Sequence, residues 1–224
     1  MKTESLRKHI AWLGKTDPIF KGNPVLYFGI CLPFVIVPSM TLKAGVLLSV
    51  LMFIATLIPV AIYASIGSRI SKEIKFIMSA IISTSLVSLF FFFTKTLFAE
   101  FYLIAGVYAM LFGVNGLTSY IEYKNEGKGV AENVLFAFKA CVGYSIVVCF
   151  ISFVRELLAL KTIWGYPVDL LPIKLEGIAF PFFGFIMLGF LSAFFRCVER
   201  WNRKRLLIKA ERLSEEREEK ADAE

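Results

Sequence analysis

Six long apolar runs constrain this chain more than any other feature of its sequence. A helix needs about 20 mostly apolar residues to cross the hydrocarbon core of a bilayer. Runs of this kind occupy residues 24–42, 44–66, 76–94, 101–121, 134–154 and 177–195. They leave little room for β-strands, and the alternating ten-residue pattern of a membrane β-barrel is absent from the sequence. The sequence therefore predicts an all-α membrane protein with six transmembrane helices.

Composition excludes several other classes of protein. Of the 224 residues, 57% are hydrophobic and 19% are charged, whereas soluble domains are about 45–50% apolar and about 25% charged. The net charge of +7 is assigned to loops on one side of a bilayer, so no nucleic-acid partner is expected. Because His9 is the single histidine, no histidine-based metal site is expected within the membrane. No phosphate-binding loop or flavin-attachment sequence is found, so this chain is expected to carry neither nucleotide nor flavin.

The distribution of basic residues predicts the orientation. With the N-terminus inside, the inner segments hold 19 Lys and Arg and the outer segments hold 5. Cytoplasmic loops carry such an excess, so both termini are expected in the cytoplasm. The predicted organisation is a cytoplasmic segment over residues 1–23, a six-helix transmembrane domain over 24–198, and a charged cytoplasmic helical tail over 199–224.

Two of the predicted spans contain helix-breaking residues. The first span includes Gly29 and Pro33, and the fourth includes Gly113 and Gly116. Each break lies in the opening span of a set of three, over residues 24–94 and 101–195. Matched breaks of this kind are typical of two inverted repeats whose broken first helices meet at a site near the midplane. The alternative is that Gly and Pro are simply common in membrane helices.

Polar residues at the spans offer few candidates for chemistry. Asn115 lies in the second break, and the pair Arg155-Glu156 ends the fifth span. Each is a candidate for lining an ion or electron path, and a local ion pair at the interface is the other interpretation of Arg155-Glu156. Cys141 and Cys149 share a helix face in the fifth span, where buried cysteine usually acts as a small apolar residue. Neither is expected to be a metal ligand.

Several stretches resemble one family of integral membrane proteins. The sequence NPVL at residues 23–26, followed by GICLP at 29–33, resembles the "NPVL…GLCP" opening of the Rnf/Nqr subunits, in particular the RnfE/NqrD branch. The segment EIK at 73–75 with IIS at 81–83, and VRELL at 154–158 with IWG at 163–165, resemble later motifs of that family. The resemblance covers roughly residues 12–198 in the same order and spacing.

The resemblance implies a function and a set of partners. Such a subunit packs against a homologous six-span subunit of inverted orientation, within a complex that also holds flavin-containing and iron–sulfur-containing subunits in a prokaryotic inner membrane. The two homologous subunits share an iron or [2Fe–2S] centre, which passes electrons across the bilayer coupled to Na⁺ or H⁺ transport. Cys31 matches the first cysteine ligand of the family, and soft thiolates suit iron.

The second ligand of the family is missing from this chain. Gly116 stands where the family has a cysteine after asparagine, and glycine has no donor atom. Three outcomes remain open: a centre with three protein thiolates, a site rebuilt with another residue, or no metal. The chain is accordingly either a non-catalytic or electron-relay subunit of an ion-translocating electron-transport complex, or a divergent member that serves as a small-solute or ion transporter, or as an assembly subunit, without a metal centre.

Overall fold

In a computed structural model, the described part of the chain comprises residues 18–19, 22–66, 70–95, 111–125, 127–168 and 175–221. It is built mainly from helices. In chain order these are α1 (Pro24–Phe28), α2 (Leu32–Ile36), α3 (Leu42–Ile66), α4 (Lys72–Thr94), a 3₁₀ turn (Phe112–Val114), α5 (Gly116–Lys124), α6 (Val130–Arg155), a π-helical turn (Glu156–Leu160), a 3₁₀ turn (Glu176–Ala179) and α7 (Pro181–Ala221).

Four of the described helices are long and apolar enough to cross a membrane. They are α3, α4, α6 with its π-helical extension, and α7 as far as Arg205. These four match the second, third, fifth and sixth apolar runs. The prediction of a helical membrane protein is therefore confirmed for these runs, with boundaries shifted by a few residues.

The first and fourth runs are not continuous helices where the structure describes them. The first contains α1, a break at residues 29–31 and α2. The described end of the fourth contains the 3₁₀ turn, Asn115 and then α5. The order of a broken element followed by two long helices thus occurs twice. The count of six crossings and the inverted relation of the two sets remain predictions, because residues 96–110 and most of 1–23 lie outside the described residues.

The contact between α3 and α6 is the most extensive helix contact in the described structure. Gly45 of α3 lets the two helices approach closely, because a Cβ atom there would lie 2.5 Å from Ser152 Oγ. Inside a membrane the hydrophobic effect does not drive helices together, and small residues favour association because they let the helix backbones approach closely. The remaining elements pack around this pair. Helix α4 contacts α3, whereas α1, α2 and α5 contact α6.

A proline inside α3 leaves one carbonyl group free for other helices. Pro59 has no N–H group, so the carbonyl of Ala55 lacks its usual helical partner. Ser83 of α4 donates its hydroxyl to this carbonyl at 2.7 Å, and the Asn115 side-chain amide donates to it at 3.3 Å. In a membrane such a carbonyl must be satisfied by protein, and here it links three elements.

The last helix lies at the periphery and is longer than a membrane crossing. At about 1.5 Å per residue, the 41 residues of α7 extend roughly 60 Å, about twice the hydrocarbon thickness. The predicted sixth span and the charged tail after residue 198 are therefore parts of one helix. Ser192 of α7 donates to the carbonyl of Leu26 at 2.5 Å, and a Cβ atom on Gly184 would lie 2.8 Å from Ile36. The broken segment α1–α2 thus runs antiparallel along α7.

A short hairpin follows the π-helical turn. Strands β1 (Thr162–Ile163) and β2 (Tyr166–Pro167) pair in antiparallel register. The two turn residues, Trp164 and Gly165, both have positive φ angles of 59° and 85°, as a two-residue type I′ turn requires. This hairpin was not predicted, because its strands are too short for an alternating pattern.

A first prediction tests the close contact of α3 and α6. Gly45→Ala should destabilise the protein by about 1–3 kcal/mol, because the added methyl group overpacks the contact with Ser152. Thermal unfolding of the full chain in detergent measures the effect. Gly189→Ala in α7 is the matched control, since a Cβ atom there meets nothing within 4 Å. Equal unfolding temperatures for the two variants would contradict the packing described here.

A second prediction concerns orientation. In a chain with its four native cysteines replaced, single cysteines at Tyr166 and Arg212 should react with a membrane-impermeant maleimide from opposite sides. The reason is that α7 crosses the bilayer between them, with the basic end in the cytoplasm. Right-side-out and inverted vesicles provide the measurement, and detergent-permeabilised vesicles provide the control. Labelling of both positions from one side would refute the predicted topology.

Candidate functional site

The first broken segment begins at an asparagine cap and is interrupted at two residues with positive φ. Asn23 caps α1, accepting hydrogen bonds from the backbone of Val25 at 2.9 Å and Leu26 at 3.3 Å. Gly29 ends α1 with φ 66° and Cys31 precedes α2 with φ 65°. Glycine adopts this conformation freely, whereas for cysteine the left-handed region costs about 1–2 kcal/mol. Strain of this kind is often found at functional sites.

The second break is organised by Asn115. Its side-chain oxygen accepts a hydrogen bond from the backbone of Thr118 at 3.1 Å, which caps α5. Its amide group donates to the carbonyls of Phe112 at 3.1 Å and Ala55 at 3.3 Å. Asn115 is buried, and both ends of its amide have partners. The structure therefore gives this predicted path-lining residue a capping role.

The two breaks are in contact with each other. The backbone N–H groups of Gly116 and Leu117, which are the first residues of α5, lie beside the sulfur of Cys31. A Cβ atom on Gly116 would lie 3.2 Å from Ile30. The N–H groups at a helix start lack helical partners and carry partial positive charge. The fold thus aims the positive end of one broken helix at the thiol of the other.

Two further polar groups, Cys141 and Tyr144 of α6, are buried in the same core as Cys31. The Cys141 thiol also approaches the carbonyl of Met52 at 3.9 Å. The Tyr144 hydroxyl is buried without a hydrogen-bond partner among the described residues. Cys149 of the same helix faces Ser49 of α3 at 3.7 Å.

Comparison with protein families decides the identity of the chain. The family model described as "Rnf-Nqr subunit, membrane protein" matches residues 13–195, which include both breaks. The chain belongs to the Rnf-Nqr family. A comparison with curated proteins gave no match. Family membership makes the chain a membrane subunit of a larger complex, and the resemblance seen in the sequence is confirmed.

The residues at the breaks do not fit a four-thiolate iron centre shared equally between two Rnf-Nqr subunits. A [2Fe–2S] centre takes four ligands, most often cysteines, so each subunit would bring two thiols. This chain brings Cys31 and, at the other break, the side-chain-free Gly116. Among the described residues no three His, Cys, Asp or Glu side chains are close enough to hold a metal ion. Cys31 is also only 7% exposed, so most of this residue is covered by its own chain.

Arg155 lies at the far end of the same elements and is fully buried. Its guanidinium group donates to the carbonyl of Ile36 at the end of α2, and to the carbonyl of Ala179 before α7 at 2.7 Å. It also donates to Ser39 and Ile178, each at 3.4 Å. Backbone carbonyls therefore solvate this charge in place of water, as burial of a charge requires.

Glu156 is buried beside Arg155 but turns to different partners. Its carboxylate accepts hydrogen bonds from the backbone of Leu42 at 2.6 Å, from the backbone of Gly165 at 2.8 Å, and from Thr162 Oγ1 at 3.0 Å. No ion pair joins the two neighbours in the described structure. The interpretation as a local ion pair at the interface is therefore wrong. The path-lining role stays a prediction, since the observed contacts are those of a structural brace.

The sequence did not predict that Cys141 and Tyr144 are buried in the same core as Cys31. The residues are three apart in α6, which places them on one helix face. That spacing was a usable signal, but it does not say which partner the face meets. Asn23 was also missed as a site residue, although an asparagine before proline and an apolar run is typical of a helix start.

A third prediction tests the brace at Arg155. Arg155→Lys should destabilise the full chain in detergent by about 2–3 kcal/mol, because a single ammonium group cannot satisfy carbonyls on both α2 and the turn before α7. Chemical or thermal unfolding measures the loss. Arg212→Lys, at an exposed position of α7, is the control and should have no effect. An unaltered unfolding free energy for Arg155→Lys would show that the brace is dispensable.

Proposed function

We propose that this Rnf-Nqr chain is a membrane subunit of an ion-translocating electron-transport complex, and that it takes part in carrying electrons across the membrane coupled to Na⁺ or H⁺ movement. The observation that supports this most is the contact between the two broken segments, where a Cβ atom on Gly116 would lie 3.2 Å from Ile30, the neighbour of Cys31. Membrane proteins commonly form their ion and substrate sites where interrupted helices meet.

In this proposal the residues of this chain hold the broken helices in place and do not themselves make or break covalent bonds. Asn23 and Asn115 hold the two breaks, and the α3–α6 pair excludes water from the thiol side. We infer that a homologous inverted subunit covers the surface at the breaks, where Val114 is 59% exposed and Gly116 is exposed as well. Subunits with flavin and iron–sulfur groups are separate chains in this proposal, in an assembly of the prokaryotic inner membrane.

A second function has its own supporting observation. Gly116 removes one ligand and Cys31 is covered within its own chain, so a metal-free member of the family is also consistent with the site. Such a chain would act as a small-solute or ion transporter, or as an assembly subunit. The two functions differ in what purifies with the chain and in how the break responds to a second thiol.

A fourth prediction separates these functions. The full-length chain, purified from native membranes, should bring flavin-bearing and iron–sulfur-bearing chains with it. Gly116→Cys should then raise the iron content by about two atoms per complex, the content of one [2Fe–2S] centre, because the missing thiolate is restored. The new side chain needs only a small shift of Ile30, which lies 3.2 Å from its Cβ position. Iron analysis and electron paramagnetic resonance provide the measurement.

Two controls make the iron experiment specific. Val114→Cys adds a thiol two residues away at the same break and should leave the iron content unchanged. Cys31→Ser combined with Gly116→Cys should cancel the gain, because one thiolate is again missing. Purification without flavin-bearing or iron–sulfur-bearing chains, together with no gain of iron in Gly116→Cys, would contradict the electron-transport proposal and favour the metal-free function.

A further inference from the structure

A second feature of the molecule lies where α1 meets α7, away from the Cys31 site. A cavity of about 340 Å³ opens between the end of α1 and the basic part of α7. Tyr27 and Phe28 form its wall on one side, and on the other side stand Arg196, Glu199, Arg200 and Arg203. Three arginines at spacings of four and three residues share one helix face, and one glutamate stands among them.

Two of these charged groups are engaged by α1. Arg196 donates to the backbone carbonyl of Tyr27 at 2.7 Å, and its guanidinium carbon lies 5.6 Å from the centre of the Tyr27 ring. The Tyr27 hydroxyl donates to the carboxylate of Glu199. These contacts fix the wall of the cavity and engage Glu199, the one carboxylate among the described residues that line it.

The other two arginines are available to a ligand. Arg200 and Arg203 are exposed, and the structure gives their guanidinium groups neither a hydrogen bond nor an ion pair within the part of the chain that it describes. The described residues that line the cavity, with three arginines and one glutamate, carry a formal excess of positive charge. Guanidinium groups bind phosphate oxygens through paired N–H donors, so the cavity suits a phosphate-bearing ligand.

The residues around the cavity indicate which kind of phosphate-bearing ligand it would bind. Exposed apolar side chains on the side of α7 that carries Arg200 lead up to the cavity, namely Ile186, Phe190 and Ala193. Just beyond them Trp201 is exposed, with the guanidinium of Arg205 3.5 Å above its ring. Tryptophan and arginine concentrate at the membrane–water interface. The cavity is therefore at headgroup level, at the end of an apolar stripe.

We propose that this cavity binds the headgroup of an anionic phospholipid, with Arg200 and Arg203 on its phosphate and the acyl chains along the apolar stripe of α7. A free phosphate ion would use the arginines but not the stripe. A soluble protein would not reach the stripe within the bilayer. A phospholipid can contact both the arginines, through its phosphate, and the apolar stripe, through its acyl chains. Basic pockets beside membrane helices are a known kind of lipid headgroup site.

A fifth prediction tests this site with the full chain in detergent micelles. Native mass spectrometry is used to titrate phosphatidylglycerol, with phosphatidylcholine and inorganic phosphate as comparison probes. We expect one saturable site for phosphatidylglycerol. Arg200→Gln and Arg203→Gln should each weaken it by roughly fivefold, and the double variant by roughly 25-fold, since each basic residue near a headgroup contributes comparably. Unfolding temperatures without lipid confirm that the variants are folded.

Matched variants show whether the cavity itself is responsible. Arg205→Gln removes the same charge from the same helix outside the cavity and should change the affinity by less than about twofold, whereas a general charge effect would weaken binding as much as Arg200→Gln. Phe190→Ser should weaken phosphatidylglycerol binding and leave the response to phosphate unchanged. The proposal is overturned if phosphatidylcholine binds equally well, if phosphate alone displaces the lipid at equal affinity, or if Arg205→Gln matches Arg200→Gln.

Discussion

Two asparagine side chains make interrupted helices tolerable in this protein. Broken backbone inside a membrane leaves N–H and carbonyl groups that lipid cannot satisfy. Asn115 caps α5 directly after the second break, and Asn23 caps α1, the helix that leads into the first break. Each of these side chains also donates to the carbonyl of a long helix. Asn23 donates to Gly143 of α6 at 2.9 Å, and Asn115 donates to Ala55 of α3 at 3.3 Å. The breaks are thereby attached to the two helices that form the core.

The carbonyl of Ala55 loses its helical hydrogen bond to a proline and regains partners from two other elements. Pro59 removes the helical partner of this carbonyl, and the second break and α4 supply replacements. A proline that would weaken an isolated helix becomes an anchoring point for Asn115. The contact between Cys31 and the start of α5 follows from this arrangement, because the anchored break presents its free N–H groups to the thiol.

At the opposite end of the core, two adjacent charged side chains of opposite sign bind separate backbone partners and do not form an ion pair. Arg155 and Glu156 are adjacent, yet one binds carbonyls of α2 and of the turn before α7, while the other binds N–H groups at the start of α3 and in the hairpin. A cation with carbonyls and an anion with N–H groups are each satisfied without forming a pair. In contrast α7 is largely exposed, which leaves its faces for lipid and for partner subunits.

The amino-acid sequence by itself determined the membrane class, the positions of four long helices and the places where two others break. These follow from run length and from Gly and Pro, which act locally through hydrophobicity and backbone freedom. The resemblance around Cys31 was also visible in the sequence, as was the loss of a ligand at Gly116. Only the tertiary structure decided that Cys141 and Tyr144 share the core with Cys31, and that Arg155 and Glu156 turn apart. The contacts of Arg155 with Ile36 and of Glu156 with Leu42 join residues more than a hundred positions apart, and periodicity shows which face a residue is on but not what that face meets.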